Sequence, residues 1–250
     1  QVVNMMGYYH ILSLPWQAQI GPSCGLAALR MIREYFANTN NDGNNDNKNT
    51  QLPSLLGIAQ ERGYTMDGEI FDASNLLELA QQDCGISCEM WSVQDQFQPA
   101  QIQEVLQAGG VFVLPYDSNA GTRLPCKIDG RGAHYGVVVG MLVMAEQQPQ
   151  QQEQQSDNDA NRDSLPEMIK LHPLLEETTT NASAAIGSNG NVFLLVQHSL
   201  SPKLSIAPWS DFVESNQQLT TIDEAKFGKS NSTNNLHLQG CVLVCRSGGT

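Results

Sequence analysis

Cys24 is the residue of this chain whose type and position are best suited to chemistry, because it lies directly before a predicted helix. Pro22 and Gly25 interrupt the backbone around it. The apolar residues that follow recur with the period of an α-helix: Leu26, Leu29, Ile32 and Phe36. Unpaired backbone N–H groups and the helix dipole stabilise an anion at a helix amino terminus, so cysteines there have pKa values below the ordinary value of about 8.5. The segment therefore predicts a reactive thiolate.

A thiolate that cleaves a peptide bond also needs a base that exchanges a proton near neutral pH, and histidine suits this role. Of the five histidines, His134 has the most favourable position. It follows the glycine-containing segment 130–133 and precedes the strongly apolar segment 137–143, whose composition is typical of a buried strand. Taken alone, His134 is more typical of an ordinary strand end. Together with Cys24, it becomes the predicted base.

Two further roles have candidates in the sequence. The imidazole must be held in one orientation, and an Asp, Asn or Gln side chain can accept its Nδ1 hydrogen. A second apolar segment ends in Gln197, which we predict for this role, while the adjacent His198 is the alternative, either as the orienting residue or as the base itself. Gln19, five residues before the nucleophile, is the predicted donor to the oxyanion together with the Cys24 backbone N–H.

The residues around these positions resemble the actin maturation protease family. The specific part is the pattern Gln-x-Gly-Pro-x-Cys-Gly-Leu within residues 19–29, followed by the Gly-Ala-His-Tyr-Gly segment at 132–136. Residues 193–197, Trp209 and residues 215–219 extend the resemblance over most of the chain outside its low-complexity segments. The family is similar to bacterial cysteine peptidases that trim double-glycine leader peptides and share a papain-like core. Those peptidases carry Asp before the cysteine and Asp as the orienting residue, where this chain has Ser23 and Gln197.

The resemblance implies a cysteine-type aminopeptidase that removes the acetylated first residue, Met or Cys, from newly made actin. It implies actin as the partner, and profilin through a segment that would precede Gln1. Three alternatives remain: a catalytically silent peptide-binding module of the same fold, a cysteine peptidase for other acidic amino termini, and a redox sensor that uses a Cys-x-x-x-Cys pair.

The charge of the chain restricts its partners. A formal net charge of −13 disfavours nucleic acid and anionic membranes, which require basic surfaces. The segment 145–190 contributes −6 of this charge, whereas residues 122–131, directly before His134, carry three cations and one acid. We predict that these cations receive an acidic peptide beside the site, the alternative being an ordinary solvated loop: Arg123, Lys127 and Arg131.

The predicted architecture is one α+β peptidase domain over residues 1–250, papain-like, with the catalytic cysteine on the first long helix and a mostly antiparallel sheet. Two low-complexity insertions interrupt it, at about 38–50 and 145–190. Further helices are predicted over 52–62, from Asn75 as the cap, from Pro99 to Gly109 and over 209–215. Strands are predicted over 111–114, 137–144, 192–196 and 236–244.

The other cysteines favour no metal site. Cys84 and Cys88 are four residues apart, as are Cys241 and Cys245, and neither pair has the two-residue separation of zinc knuckles. We therefore expect no metal and no cofactor. No signal peptide or transmembrane segment is recognisable, so reduced thiols in the cytoplasm are the expected state.

Overall fold

The computed structural model describes residues 5–39, 54–146, 170–173, 191–223, 227 and 236–247. The helices are α1 (Cys24–Thr39), α2 (Leu55–Glu61), α3 (Ala73–Asp83), α4 (Pro99–Gln107) and α5 (Trp209–Gln217). The strands are β1 (Met5–Ile11), β2 (Ser87–Ser92), β3 (Val111–Asp117), β4 (Ala133–Glu146), β5 (Lys170–Pro173), β6 (Asn191–His198), β7 (Ser201–Pro208) and β8 (Cys241–Arg246). Among the helices in these ranges, none has the length and apolar composition needed to cross a bilayer.

The long strand β4 is the centre of the sheet. Along one side its first part pairs with β3 and its second part with β1, and along the other side it pairs with β6. The strand order is β2-β8-β3-β4-β1-β5, with β7 added beyond β6. All pairings are antiparallel except that of β1 with β5. The predicted α+β class with a mostly antiparallel sheet is confirmed, and the arrangement is compatible with a papain-like core.

Apolar side chains pack on both faces of this sheet. One face is covered by α1, α2 and α3, whose buried side chains form one cluster with Tyr135, Val137 and Val139 of β4. The other is covered by α4 and α5, which pack against a second cluster that includes Val138 and Met141. Successive side chains of a strand point to opposite faces, so neighbouring β4 residues enter different cores. Burial on both faces explains why the sequence of β4 is continuously apolar.

Several predicted elements are present with their expected residues. α1 begins at Cys24 and α4 at Pro99. The predicted strand segments 111–114, 137–144 and 192–196 lie inside the longer strands β3, β4 and β6. The predicted helix over 209–215 corresponds to α5.

Other predicted boundaries are wrong. The cap of α3 is Asp72 rather than Asn75, because the Asp72 carboxylate accepts a hydrogen bond of 2.8 Å from the Ser74 N–H and starts the helix at Ala73. The last strand begins at Cys241 rather than at residue 236. β1, which precedes α1, lies in a segment without a predicted strand, as do β2 and β7.

Some residues of both predicted insertions belong to regular elements. Residues 38 and 39 of the first complete α1, which ends at Thr39. In the second, residues 145 and 146 complete β4, and residues 170–173 form β5, which pairs with β1. The remaining residues of both segments lie outside the described residues, as do residues 52 and 53 of the predicted second helix.

Candidate active site

The start of α1 fixes the position of Cys24. The Ala27 N–H donates to the Ser23 carbonyl at 2.9 Å, which makes Ser23 the cap and Cys24 the first helical residue. The Ser23 hydroxyl donates to the Ile20 carbonyl at 2.9 Å and accepts from the Ile20 N–H at 3.3 Å. These two hydrogen bonds of the Ser23 hydroxyl hold the turn before α1. The Cys24 side chain remains partly exposed.

A glycine allows α1 to begin directly on β4. A Cβ atom at Gly25 would lie 3.1 Å from Cδ2 of Tyr135 and 3.2 Å from Cδ1 of Leu76. Tyr135 is buried and follows His134 in β4. This close packing places the amino terminus of the helix beside the strand that carries the imidazole.

Cys24 and His134 line one cavity with a volume of about 340 Å³. Gln19 lines it from the segment before α1, and Arg123 and Arg131 line it from the segment between β3 and β4. Five predicted site residues, from two segments about a hundred residues apart, therefore share one cavity.

The remaining wall of the cavity is mixed in character. Ile70, Phe71 and Leu238 give it an apolar surface, and Glu69 and Asp223 add two carboxyl groups. The cavity can therefore accommodate an apolar side chain next to charged groups.

Gln19 is held at the edge of the cavity by neighbouring backbone and side-chain groups. Its backbone N–H donates to the Ser199 carbonyl at 3.2 Å, and its Oε1 accepts from the Ser199 hydroxyl at 2.8 Å. Its Nε2 donates to the Gly21 carbonyl at 2.6 Å. An amide nitrogen carries two hydrogens, so this contact uses one of them. The nearby Gln17 amide instead donates to the Glu34 carboxylate.

The imidazole of His134 is buried next to two other rings. The Tyr116 ring centroid lies 6.1 Å away and that of His198 lies 5.9 Å away, both nearly perpendicular to it. Burial, aided by the Arg123 cation, lowers the pKa of His198. Burial also raises the pKa of Tyr116. Both neighbours of His134 are therefore favoured in their uncharged forms.

Gln197 and His198 lie on β6, the strand paired with β4, but outside the set of described residues that line the cavity. The Gln197 amide nitrogen donates to the Ser201 carbonyl at 3.2 Å, across the turn that joins β6 to β7. Its backbone is opposite Val137, three residues after His134. The His198 ring, by contrast, packs edge to face against the His134 ring.

The structure reveals a positioning residue that sequence reasoning missed, the buried Asp117 at the end of β3. Its carboxylate accepts backbone N–H groups from Ile128 at 3.0 Å, Gly130 at 2.8 Å and Gly132 at 2.8 Å. Gly130 has φ +97°, which an L side chain rarely adopts. The sequence contains an indication of this role, because an acidic residue ends an otherwise apolar strand and precedes a segment that contains several glycines. We name residues 118–132 the Asp117-anchored loop.

This loop carries the three predicted cations, and they lie in different surroundings. Arg123 and Arg131 line the cavity, and the backbone carbonyl of Arg123 accepts from the Ser205 hydroxyl at 3.2 Å. Lys127 is exposed and forms an ion pair with Glu214. Among the described residues that line the cavity, Lys127 is not included.

The cysteines other than Cys24 lie in less reactive surroundings. Burial raises the pKa of Cys84 and of Cys241 to about 11. Cys88 and Cys245 face each other across β2 and β8 with sulfur atoms 2.6 Å apart, and the hydrogen bond between them, with burial, raises the pKa of Cys245. The Cys-x-x-x-Cys pairs of the sequence are therefore not the pairs that meet in the fold. Protonated thiols are weak nucleophiles, so Cys84, Cys241 and Cys245 are poorly suited to catalysis.

Comparison with known proteins gives one family and several relatives. The family model described as "Actin maturation protease-like, C-terminal domain" matches residues 14–142, which include Cys24 and His134. The chain is similar to the "Actin maturation protease" of Mus musculus, with 28% identity over 216 residues that cover 85% of this chain and 55% of that protein. The Homo sapiens protein of the same name is 28% identical over 85% of this chain and 56% of its own length.

The Drosophila melanogaster protein, also named "Actin maturation protease", is 31% identical over 54% of this chain and 45% of its own length. The chain thus spans about half the length of the curated relatives it matches. No solved structure gives a significant match.

Proposed function

The chain belongs to the actin maturation protease-like family, and on this premise we propose that it is a cysteine aminopeptidase that removes the acetylated first residue, Met or Cys, from newly made actin. The observation that supports this proposal most strongly is that Cys24, at the first position of a helix, and His134, at the start of a buried strand, line one cavity. Both lie in the part of the chain that the family model matches.

In the proposed reaction, the Cys24 thiolate attacks the carbonyl carbon of the acetylated first residue. The resulting oxyanion receives hydrogen bonds from the Gln19 amide and the Cys24 backbone N–H. Collapse breaks the peptide bond, and protonated His134 transfers its proton to the departing amine of the shortened protein. This leaves an acyl-enzyme joined through a thioester to Cys24.

Water completes the reaction. Neutral His134 removes a proton from water, whose oxygen attacks the thioester carbonyl and displaces the sulfur. The acetylated amino acid leaves, and the thiolate of Cys24 is restored. Gln197 supports His134 from the neighbouring strand as a positioning residue, so we expect Gln197→Ala to lower kcat less than His134→Ala does.

The cavity surfaces fit the proposed substrate. Ile70, Phe71 and Leu238 can receive the apolar side chain of an acetylated Met, while Arg123 and Arg131 can receive the acidic residues behind it. A blocked amino terminus carries no ammonium, so no acidic group is needed to bind one.

We also propose the domain organisation, the partners and the compartment of the chain. The described elements share one sheet, and we infer a single peptidase domain. Actin is its protein substrate, profilin is a further partner, and the cytoplasm, where actin is made, is its compartment. None of the six cysteines, all of which lie in the described ranges, forms a disulfide, which agrees with a reducing compartment.

The proposal is tested with acetylated peptides that begin Met-Asp or Cys-Asp, their unacetylated forms, and acetylated peptides whose following residues are neutral. Mass spectrometry of the products identifies the bond that is cut. We expect release of acetyl-Met or acetyl-Cys by the native chain and by the matched control Cys126→Ala, and no release by Cys24→Ala. Binding without cleavage by the native chain would favour the silent peptide-binding module, and equal cleavage of neutral peptides would remove the acidic preference.

A further inference from the structure

Large apolar side chains are exposed around the mouth of the cavity. Leu200 and Ile128 line the cavity and are 40% and 38% exposed. Ile20, next to the lining residue Gln19, is 81% exposed, and Leu124, next to the lining residue Arg123, is 37% exposed. We name these four residues the apolar rim: Ile20, Leu124, Ile128 and Leu200.

The apolar rim is built on two anchored segments. Ile20 and Leu200 lie on segments joined by the hydrogen bond from the Gln19 N–H to the Ser199 carbonyl, at 3.2 Å. Leu124 and Ile128 lie on the Asp117-anchored loop, and the Ile128 N–H is itself one of the groups that the Asp117 carboxylate accepts. The rim residues are therefore held in place by backbone contacts while their side chains face solvent.

Exposed apolar groups collected at one place mark a surface that binds a partner. Ile20 and Leu124 are not among the described residues that line the cavity, so one residue bound in the cavity leaves these two rim side chains uncovered. An aminopeptidase binds the end of a chain, and the rest of its substrate must leave through the mouth of the cavity. The body of the substrate is therefore the molecule that meets this surface.

Charge supports the same occupant. Arg123 precedes Leu124 and Arg131 lies three residues after Ile128, in a loop whose three cations outnumber its one acid, Asp129, although the formal net charge of the chain is −13. Such a surface is complementary to a folded protein with an acidic amino-terminal region. Resting on the proposed function, we propose that the apolar rim docks the folded body of the protein substrate, so that the enzyme recognises more than the terminal peptide.

The test compares kcat/KM for intact acetylated actin with kcat/KM for a short acetylated peptide of the same amino-terminal sequence. The double variant Ile20→Ser/Leu124→Ser removes two rim side chains. Ile11→Ser is the matched control, since Ile11 is 45% exposed and lies on β1 opposite Gly140, six residues along β4 from His134. We expect the ratio of intact protein to peptide to fall at least about tenfold in the double variant and to stay unchanged in the control.

An unchanged ratio in a double variant with the native urea midpoint would overturn the docking surface. So would a change of oligomeric state in sedimentation without a change in the ratio, which would assign the rim to a second copy of this chain. If the native chain cleaves neither substrate, the proposed function has failed. Binding of intact actin to Cys24→Ala protein, with and without the rim substitutions, then decides the docking surface by itself, and equal affinities would refute it.

Discussion

At the scale of single residues, His134 has a second imidazole as its neighbour. His198 is buried, and its pKa is lowered by that burial and by the Arg123 cation. A neutral imidazole next to the proposed base allows His134 to gain a proton without a like charge beside it. This arrangement supports His134 as the base and His198 as a neutral neighbour.

The lowered pKa of His198 predicts a contribution to the pH dependence of stability. The unfolded chain binds a proton at this site near its ordinary pKa of about 6.5, whereas the folded chain binds it only at lower pH, so the unfolded state takes up more protons in between. Stability from this site is therefore complete above the ordinary pKa and is lost as pH falls below it. We expect the urea midpoint to fall less between pH 7.5 and pH 5 in His198→Asn than in the native chain. Equal falls would contradict the buried neutral state.

Measurements of kcat distinguish the roles of His134 and His198. His134→Ala removes the proposed base, and we expect its kcat to fall by roughly 10²-fold or more. His198→Asn removes only a neighbour and is expected to retain more activity than His134→Ala. Near-native turnover by His134→Ala, measured on the acetylated peptide, would assign the base to His198.

At the scale of elements, Asp117 determines the shape of the loop that forms part of the cavity. Its buried carboxylate holds three backbone N–H groups, and leaving such groups without an acceptor costs about 1–3 kcal/mol each. We expect Asp117→Asn to lower the free energy of unfolding by about 2 kcal/mol or more. The NH₂ group of the Asn side chain would then face backbone N–H groups, and neither can accept a hydrogen bond from the other. Activity should fall with it, since the loop carries Arg123 and Arg131.

The matched control is Asp129→Asn in the same loop. Asp129 has a side chain that is 71% exposed and φ +63°, a conformation that Asn also tolerates. We expect its free energy of unfolding to change by no more than about 0.5 kcal/mol. Urea unfolding of both variants checks the pair, and a similar small change in both would refute the anchoring role of Asp117.

The elements that could be predicted are those with a strong local pattern. The helix at Cys24 follows from apolar period and backbone punctuation, and β4 follows from its valine-rich segment. β1 escaped prediction because its hydrogen-bond partners, β4 and β5, are distant in sequence, and β7 because a strand at the edge of a sheet needs no continuous apolar segment. The stacking of His198 on His134 and the anchoring by Asp117 likewise depend on cross-strand and loop contacts that sequence spacing does not contain.

At the scale of the whole molecule, the net charge opposes an acidic substrate, so attraction must come from a local group of cations. Arg123 and Arg131 line the cavity, whereas Lys127 is engaged with Glu214. Glu69 and Asp223 also line the cavity, so the proposed recognition depends on where the two arginines lie and not on a net positive charge of the cavity.

Substitution of the two cavity arginines tests this local recognition, with Lys127 as the control. Replacing both arginines with Gln should raise KM for an acidic acetylated peptide about tenfold more than for a neutral one, because two partly exposed charge contacts are lost. Lys127→Gln should leave the ratio unchanged. Added salt should raise KM of the native chain for the acidic peptide only. Equal effects on both peptides would exclude recognition of acidic residues by these arginines.

We propose that Cys24 is the nucleophile of a peptidase cavity that His134 completes. The most direct measurement is to mix the chain with an acetylated Met-Asp peptide, quench with acid at short times and map the modified residue by mass spectrometry. We expect a thioester-linked acetyl-methionyl group on Cys24 that disappears as acetyl-Met is released. An adduct on another cysteine, or release of acetyl-Met by Cys24→Ala protein, would contradict it.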